Sequence, residues 1–186
     1  MRAATLAFAG IAALGLFEAA SAAVVPAKAV VAQLLLDRAF ERSVAAHRPV
    51  KPWPWADMAP AARIGIPRLG FSEVALDSGS GQALAFGPTF LPTAAAPGAP
   101  GTAVAAAHRD THFRGLRDVR IGDLVVVETI EGSTTTYRVD SLQVRRWDGF
   151  AVSSDRSEPR LALVTCYPFG ATAHGPLRYI VGAEKV

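Results

Sequence analysis

Leu124-Val125-Val126-Val127-Glu128-Thr129-Ile130, then Glu131-Gly132-Ser133, then Thr134-Thr135-Thr136-Tyr137-Arg138-Val139-Asp140-Ser141-Leu142-Gln143-Val144, is two β-rich arms about a short turn. β-Branched residues crowd both arms and a glycine sits between them, the sequence signal of a hairpin. Outward from this hairpin the same texture runs from Ala62 to the end of the chain, with short runs of Val, Ile, Leu and Thr broken by Gly, Pro and Asp. Strands are predicted at Arg63–Ile66, Phe71–Leu76, Thr102–Ala107, Leu124–Ile130, Thr134–Val144, Arg160–Thr165 and Leu177–Ala183. Short helical turns are expected over Gly81–Phe86 and Phe113–Val119. The loop Pro92–Gly101, rich in proline and glycine, has no regular structure of its own. The fold class is therefore all-β.

The N-terminal quarter reads differently. From Ala27 to about Ala46 apolar residues recur four apart, as Val30/Leu34, Val31/Leu35 and Leu36/Phe40/Val44, with Pro26 at the start: one amphipathic helix. Three prolines in His47–Trp55 then end the helix and favour an extended connection, and Trp53 and Trp55 are expected to pack it against the domain. Ahead of the helix, Arg2 precedes a small or apolar run, Ala3–Phe17, and Ala20-Ser21-Ala22 has the small-x-small form of a cleavage site. Fifteen helical residues reach about 22 Å, short of a hydrocarbon core of about 30 Å, whereas reading on to Val25 gives enough length. The expectation is a signal peptide or membrane anchor over 1–25, a helix and Pro/Trp linker over 26–61, and the main β domain over 62–186. Either reading of 1–25 places the domain outside the cytoplasm, at the inner membrane facing the periplasm or released into it.

Composition narrows the function. Of 186 residues 51% are hydrophobic and 19% charged, so the chain can bury a core and is not natively disordered. All but Lys28, Lys51 and Lys185 of the 19 cations are Arg, and they are scattered along the chain. The net charge of +3 is not gathered into the contiguous patch that nucleic acid requires. One cysteine excludes an intrachain disulfide and a multi-cysteine zinc site. No clustered carboxylates suggest a calcium site, and no metal or cofactor is expected.

The reactive inventory is then one thiol and four histidines. Cys166 ends the apolar run Leu161–Thr165 and is followed by Tyr167-Pro168, so it stands at a strand end and a site mouth. His108 has the same placement, after the small-residue strand Thr102–Ala107. Arg178 is a cation opening the otherwise apolar last strand. Together they supply a nucleophile, an acid/base and an oxyanion stabiliser. His112 competes with His108 for the acid/base role and is read, with Thr165, Tyr167 and His174, as a candidate groove residue. Asp110 is expected to pair with Arg109 or Arg114 rather than to complete a triad.

At these residues the sequence resembles the sortases, cysteine transpeptidases that attach secreted proteins to surface acceptors. Their signature is Thr-Leu-x-Thr-Cys on one strand, a Gly-His pair upstream and an Arg about a dozen residues after the Cys. Here it reads Ala162-Leu163-Val164-Thr165-Cys166, Ala107-His108 and Arg178, with Ala162 replacing the usual Thr and Ala107 the usual Gly. The wording Ala107–Phe113 with Thr165–Phe169 is most similar to the Gram-negative, proteobacterial branch called class GN or marine sortases.

The resemblance implies a closed β-barrel of about seven to eight strands with short helices and an N-terminal helix. It implies attack by Cys166 on a C-terminal Leu-Pro-x-Thr-Gly-like sorting motif of a secreted protein, with Arg178 at the oxyanion and His108 moving protons. The acyl group would pass to an amine acceptor at the cell surface. Two rivals remain: an L,D-transpeptidase-type enzyme that cross-links peptidoglycan, whose different wording around the Cys is absent here, and a noncatalytic periplasmic β-barrel binding module.

Overall fold

A computed structural model describes residues 31–78, 80–149, 157–171, 173 and 175–186. The predicted export segment, the start of the predicted helix and His174 lie outside the described residues. Among the described residues eight strands follow one α-helix, α1 (residues 31–46). They are β1 (Pro60–Ile66), β2 (Phe71–Leu76), β3 (Thr89–Phe90), β4 (Gly101–Ala106), β5 (Leu124–Thr129), β6 (Thr134–Arg146), β7 (Pro159–Cys166) and β8 (Leu177–Lys185).

The strands close into a barrel in the order β1-β2-β3-β4-β7-β8-β6-β5. The hairpin that anchored the sequence reading is β5–β6, paired from Leu124↔Arg138 to Glu128↔Thr134, with Gly132 at φ 83°, a left-handed turn position open to glycine. Most neighbours run antiparallel, but β2–β3 and β4–β7 are parallel. Strand directions put the finish of β1, β4, β6 and β7 at one end of the barrel, here the upper end. The finish of β2, β3 and β5 marks the lower end.

Period-two alternation fills the interior. Ile64 and Ile66 from β1, Ala103 and Ala105 from β4, Val125 and Val127 from β5, Leu161 and Leu163 from β7, and Val181 from β8 are all buried in one cluster. Phe113, Leu116 and Val119, around the short helical turn Arg114–Asp118, belong to the same cluster. At the lower end Tyr137 is buried and its hydroxyl accepts the Gly98 N–H at 2.7 Å, tying the Pro92–Gly101 loop across the barrel. Gly98 is at φ 83°, and a Cβ there would lie 2.8 Å from Thr135 Oγ1, so no other residue fits without displacement.

A second cluster lies outside the barrel wall. Leu36 and Phe40 of α1 pack with Val74 and Leu76 of β2, Met58 and Ile130. Asp37 pairs with Arg63 at 3.0 Å, and that guanidinium lies 4.8 Å above the Phe40 ring. Trp53 packs edge-on against Phe86, as expected of the linker, whereas Trp55 is 82% exposed.

Two departures from the predicted elements have simple causes. Strand β3 was not predicted, because two residues after Pro88 are too few to show a period; it is held by Leu76↔Thr89 on one side and Thr89↔Ala106 on the other. Strand β6 runs past Val144 through Arg145 and Arg146, since β8 supplies Arg178 and Leu177 as partners.

Candidate active site

Along β7 the inward residues are Leu161, Leu163 and Thr165, so Ala162, Val164 and Cys166 fall on the outer face. Along β4 and the two residues that follow it, Ala103, Ala105 and Ala107 are buried in the interior cluster, leaving Val104, Ala106 and His108 on the alternate, outer side. The parallel register sets Ala106 beside Val164, and the Ala107 N–H still reaches the Val164 carbonyl at 3.2 Å. Two residues beyond that register pair, His108 comes level with Cys166. On the other side Cys166 is the direct antiparallel partner of Arg178. Cys166 on β7, its direct partner Arg178 on β8, and His108 two residues past the end of β4 thus lie in one outer-face row at the upper end, the Cys166 and Arg178 backbones about 5 Å apart.

The row is open to solvent without being loose. His108 is exposed, and Cys166 and Arg178 are half-buried. Arg178 Nη1 donates to the Gly175 and Leu177 carbonyls at 2.9 Å each, which fixes the guanidinium near the strand start. Below the row Val104, Ala162 and Ile180 form a buried apolar cluster with Val164 and with Ala94 from the β3–β4 connection. Packed, covered apolar side chains therefore back the outer face below the thiol. A thiol, an imidazole and a guanidinium so placed can carry out acyl transfer through a covalent intermediate.

Thr165 and Tyr167, read as groove residues, lie on the opposite face from Cys166. Thr165 is 2% exposed and its hydroxyl donates to the Ala107 carbonyl at 2.7 Å, joining the nucleophile strand to the residue before His108. The Tyr167 ring stacks on Tyr179 at 6.2 Å and meets Phe169 edge-on. In that aromatic cluster burial, then the nearby Tyr167, raises the Tyr179 pKa.

His112 is anchored elsewhere. Its Nδ1 is 3.0 Å from Glu73 Oε2 on β2, and it is 12% exposed. Burial pulls its pKa down, but the Glu73 hydrogen bond and charge, with a backbone hydrogen bond to Ala85, outweigh that and leave the pKa raised. Asp110 pairs with Arg109 at 3.2 Å, and its carbonyl accepts from Arg114. Among the described residues no three of His, Cys, Asp and Glu gather as metal ligands, and no helix is long and apolar enough to cross a membrane.

Arg109 is the residue that sequence reasoning missed. It is only 5% exposed, yet it carries a full charge directly after His108. Nη1 donates to the Pro168 carbonyl at 2.9 Å, and Nη2 donates to the carbonyls of Ala171 and, at 3.5 Å, Ala173. One buried guanidinium thus clamps the segment after Cys166 onto the loop that bears His108. The signal was a cation inside the His108–His112 motif, but nothing local showed it to be buried.

The family model of the Sortase domain matches residues 64–186, a span that contains the whole row. The chain belongs to the sortase family. It is 31% identical over 86 residues to Sortase D of Bacillus subtilis (strain 168), a match covering 46% of this sortase and 43% of that protein. The chain thus matches less than half the length of that curated relative. Sortase A from Corynebacterium diphtheriae superposes with a TM-score of 0.64 at 25% identity, over 71% of this chain and 63% of that one. Clostridium perfringens Sortase D5 transpeptidase, at 20% identity, shares the fold with a TM-score of 0.66 over 84% of this chain and 99% of its own. The barrel expected from the sequence is the sortase barrel, here with eight strands.

Proposed function

We propose that this sortase is a cysteine transpeptidase acting on a C-terminal Leu-Pro-x-Thr-Gly-like sorting signal of a secreted protein. The observation that carries the reading is the single outer-face row of His108, just past the end of β4, with Cys166 on β7 and Arg178 on β8. The Cys166 thiolate attacks the scissile carbonyl carbon and a C–S bond forms, while Arg178 donates to the oxyanion. The C–N bond breaks as protonated His108 gives its proton to the leaving amine. The incoming amine then attacks the thioester, loses its proton to His108, and restores the thiolate as the new amide forms. Water in place of the amine gives hydrolysis.

The wording around His108 and Cys166 supports placement in the proteobacterial branch. The apolar segment before Val25 supports an inner-membrane or periplasmic setting, with an amine acceptor at the cell surface. Membership in the sortase family weighs against the L,D-transpeptidase reading. The test is to incubate the protein with sorting peptides and seek a peptidyl adduct on Cys166 by mass spectrometry, followed by its transfer to an added amine. A Cys166 that forms no adduct, and that resists thiol reagents in the native protein, would leave only the binding-module reading. Fractionation of the full chain checks the membrane assignment.

A further inference from the structure

Arg178 has a second neighbour across the sheet. The β6–β8 register makes Arg145 its direct antiparallel partner, so the outer-face row continues as His108, Cys166, Arg178, Arg145. Two like charges directly opposite each other weaken a strand pair. Nearby arginines are neutralised: Arg146 by Asp148 through two contacts of 3.1 Å, Arg160 by Asp140 and Glu184, and Arg109 by Asp110. Arg145 and Arg178 differ, for among the described residues neither has an acidic partner. Arg145 Nε meets only Gln143 Oε1, at 3.2 Å, and Arg178 Nη1 meets two backbone carbonyls.

The pair is built on rigid backbone. Pairing continues through Arg146↔Leu177, and the Trp147 N–H reaches the Pro176 carbonyl at 2.8 Å. Arg145 is exposed and stands in the same outer-face row, two strands from Cys166. Two strand spacings put its backbone about 10 Å from that of Cys166. An extended peptide covers roughly that distance in two to three residues.

Resting on the proposed transpeptidase reading, we infer that Arg145 beside Arg178 forms a carboxylate subsite, which selects an acidic group carried within two residues of the reacting carbonyl or on the incoming amine. Guanidinium pairs suit carboxylates because their forked donors match both oxygens. Arg178 supplies one donor set at the reacting centre, and Arg145 is the part devoted to selection.

The test uses the full-length protein and its Arg145→Gln and Arg145→Glu variants. One arm measures single-turnover acylation of Cys166 by a reactive neutral peptide and by versions carrying Glu, Gln or Lys at each position within two residues of the scissile bond. The other arm measures transfer to triglycine and to triglycine amide. The wild type should favour the carboxylate at one position, or the free acid over the amide, by about tenfold, as for one charge-assisted pair. Arg145→Gln should bring the Glu-to-Gln rate ratio back towards one, and Arg145→Glu should invert the preference towards Lys. High salt should shrink it. Equal rates for Glu, Gln and Lys peptides and for both amines, or a preference untouched by Arg145→Glu, would overturn the subsite while leaving Cys166 acylation in place. Absence of any Cys166 adduct would instead remove the proposed function, and the subsite with it.

Discussion

The two ends of the barrel differ in a way that cavity size alone would misjudge. At the lower end a cavity of about 510 Å³ opens between the β3–β4 loop, the β5–β6 turn and the start of β1, lined by Pro60, Leu91, Pro97 and Ile130, with Asp77 and Glu131. It holds no thiol or imidazole, and the Asp77 carboxylate already accepts the Ala59 N–H at 2.9 Å. At the upper end strand register instead brings a thiol, an imidazole and a guanidinium to one row. Register, rather than a hollow, is what gathers different functional groups here, because adjacent strands can hold them about 5 Å apart.

The largest break in that contrast should come from Cys166→Ala, which is expected to abolish both cleavage and transfer. Folding should persist, since a half-buried strand-end change costs far less than the roughly 2–5 kcal/mol of a core truncation. Peptide turnover measured beside a urea unfolding curve checks both halves. His108→Ala should come next, with a rate loss of about 10²–10⁴, the usual worth of a positioned acid/base. His112→Ala should leave most of the acylation rate, because its ring is engaged with Glu73; a deeper defect at His112 would move the acid/base role to it.

Arg109→Met sharpens the same contrast through stability. It removes the hydrogen bonds from the guanidinium to the carbonyls of Pro168 and Ala171, each worth roughly 0.5–1.5 kcal/mol where water can replace the lost donor, and should alter the alkylation rate of Cys166 in the native protein. Arg109→Lys should recover only part, since an ammonium lacks the forked geometry. Urea unfolding together with iodoacetamide kinetics would report both effects, and wild-type values for the Met variant would dismiss the clamp.

A smaller effect is expected from pH. Folding raises the His112 pKa above the usual value of about 6.5. Its contribution to stability is therefore full below that value and is lost as pH rises through the folded pKa. The gap in unfolding free energy between wild type and Glu73→Gln should be widest near pH 6 and narrow by pH 9. A gap independent of pH would mean a neutral hydrogen bond. The smallest effect should follow Ala61→Leu, which partly fills the lower cavity: acylation should stay within about twofold of wild type, as for a site remote from the reacting atoms. A large loss would give the lower end a part in the reaction.

What the sequence disclosed depended on how local the signal was. The β5–β6 arms and their glycine turn lie within a few residues of each other, so the hairpin was plain. Cys166, His108 and Arg178 were visible because each breaks an apolar run at its end, and because together they match a family signature. Strand β3 was hidden, since two residues carry no period. Thr165 and Tyr167 were placed in the groove for their closeness to Cys166 in sequence, but alternation along a strand sends immediate neighbours to the other face. Arg109 and Arg145 were illegible for another reason. The carbonyls that hold Arg109 lie 59 to 64 residues away, and the partner that makes Arg145 notable is on β8.

The parallel pairing of β4 with β7 also bears on the order in which the molecule assembles. Ala107 and Thr165 are 58 residues apart in sequence, so the contact that brings His108 level with Cys166 closes a long loop, at an entropic cost that local hairpins such as β5–β6 avoid. The hairpins can form early and independently. The thiol, by contrast, acquires its imidazole neighbour only when the barrel closes. A nascent or partly unfolded chain therefore lacks the assembled row, whose completion is a late event that reports barrel closure.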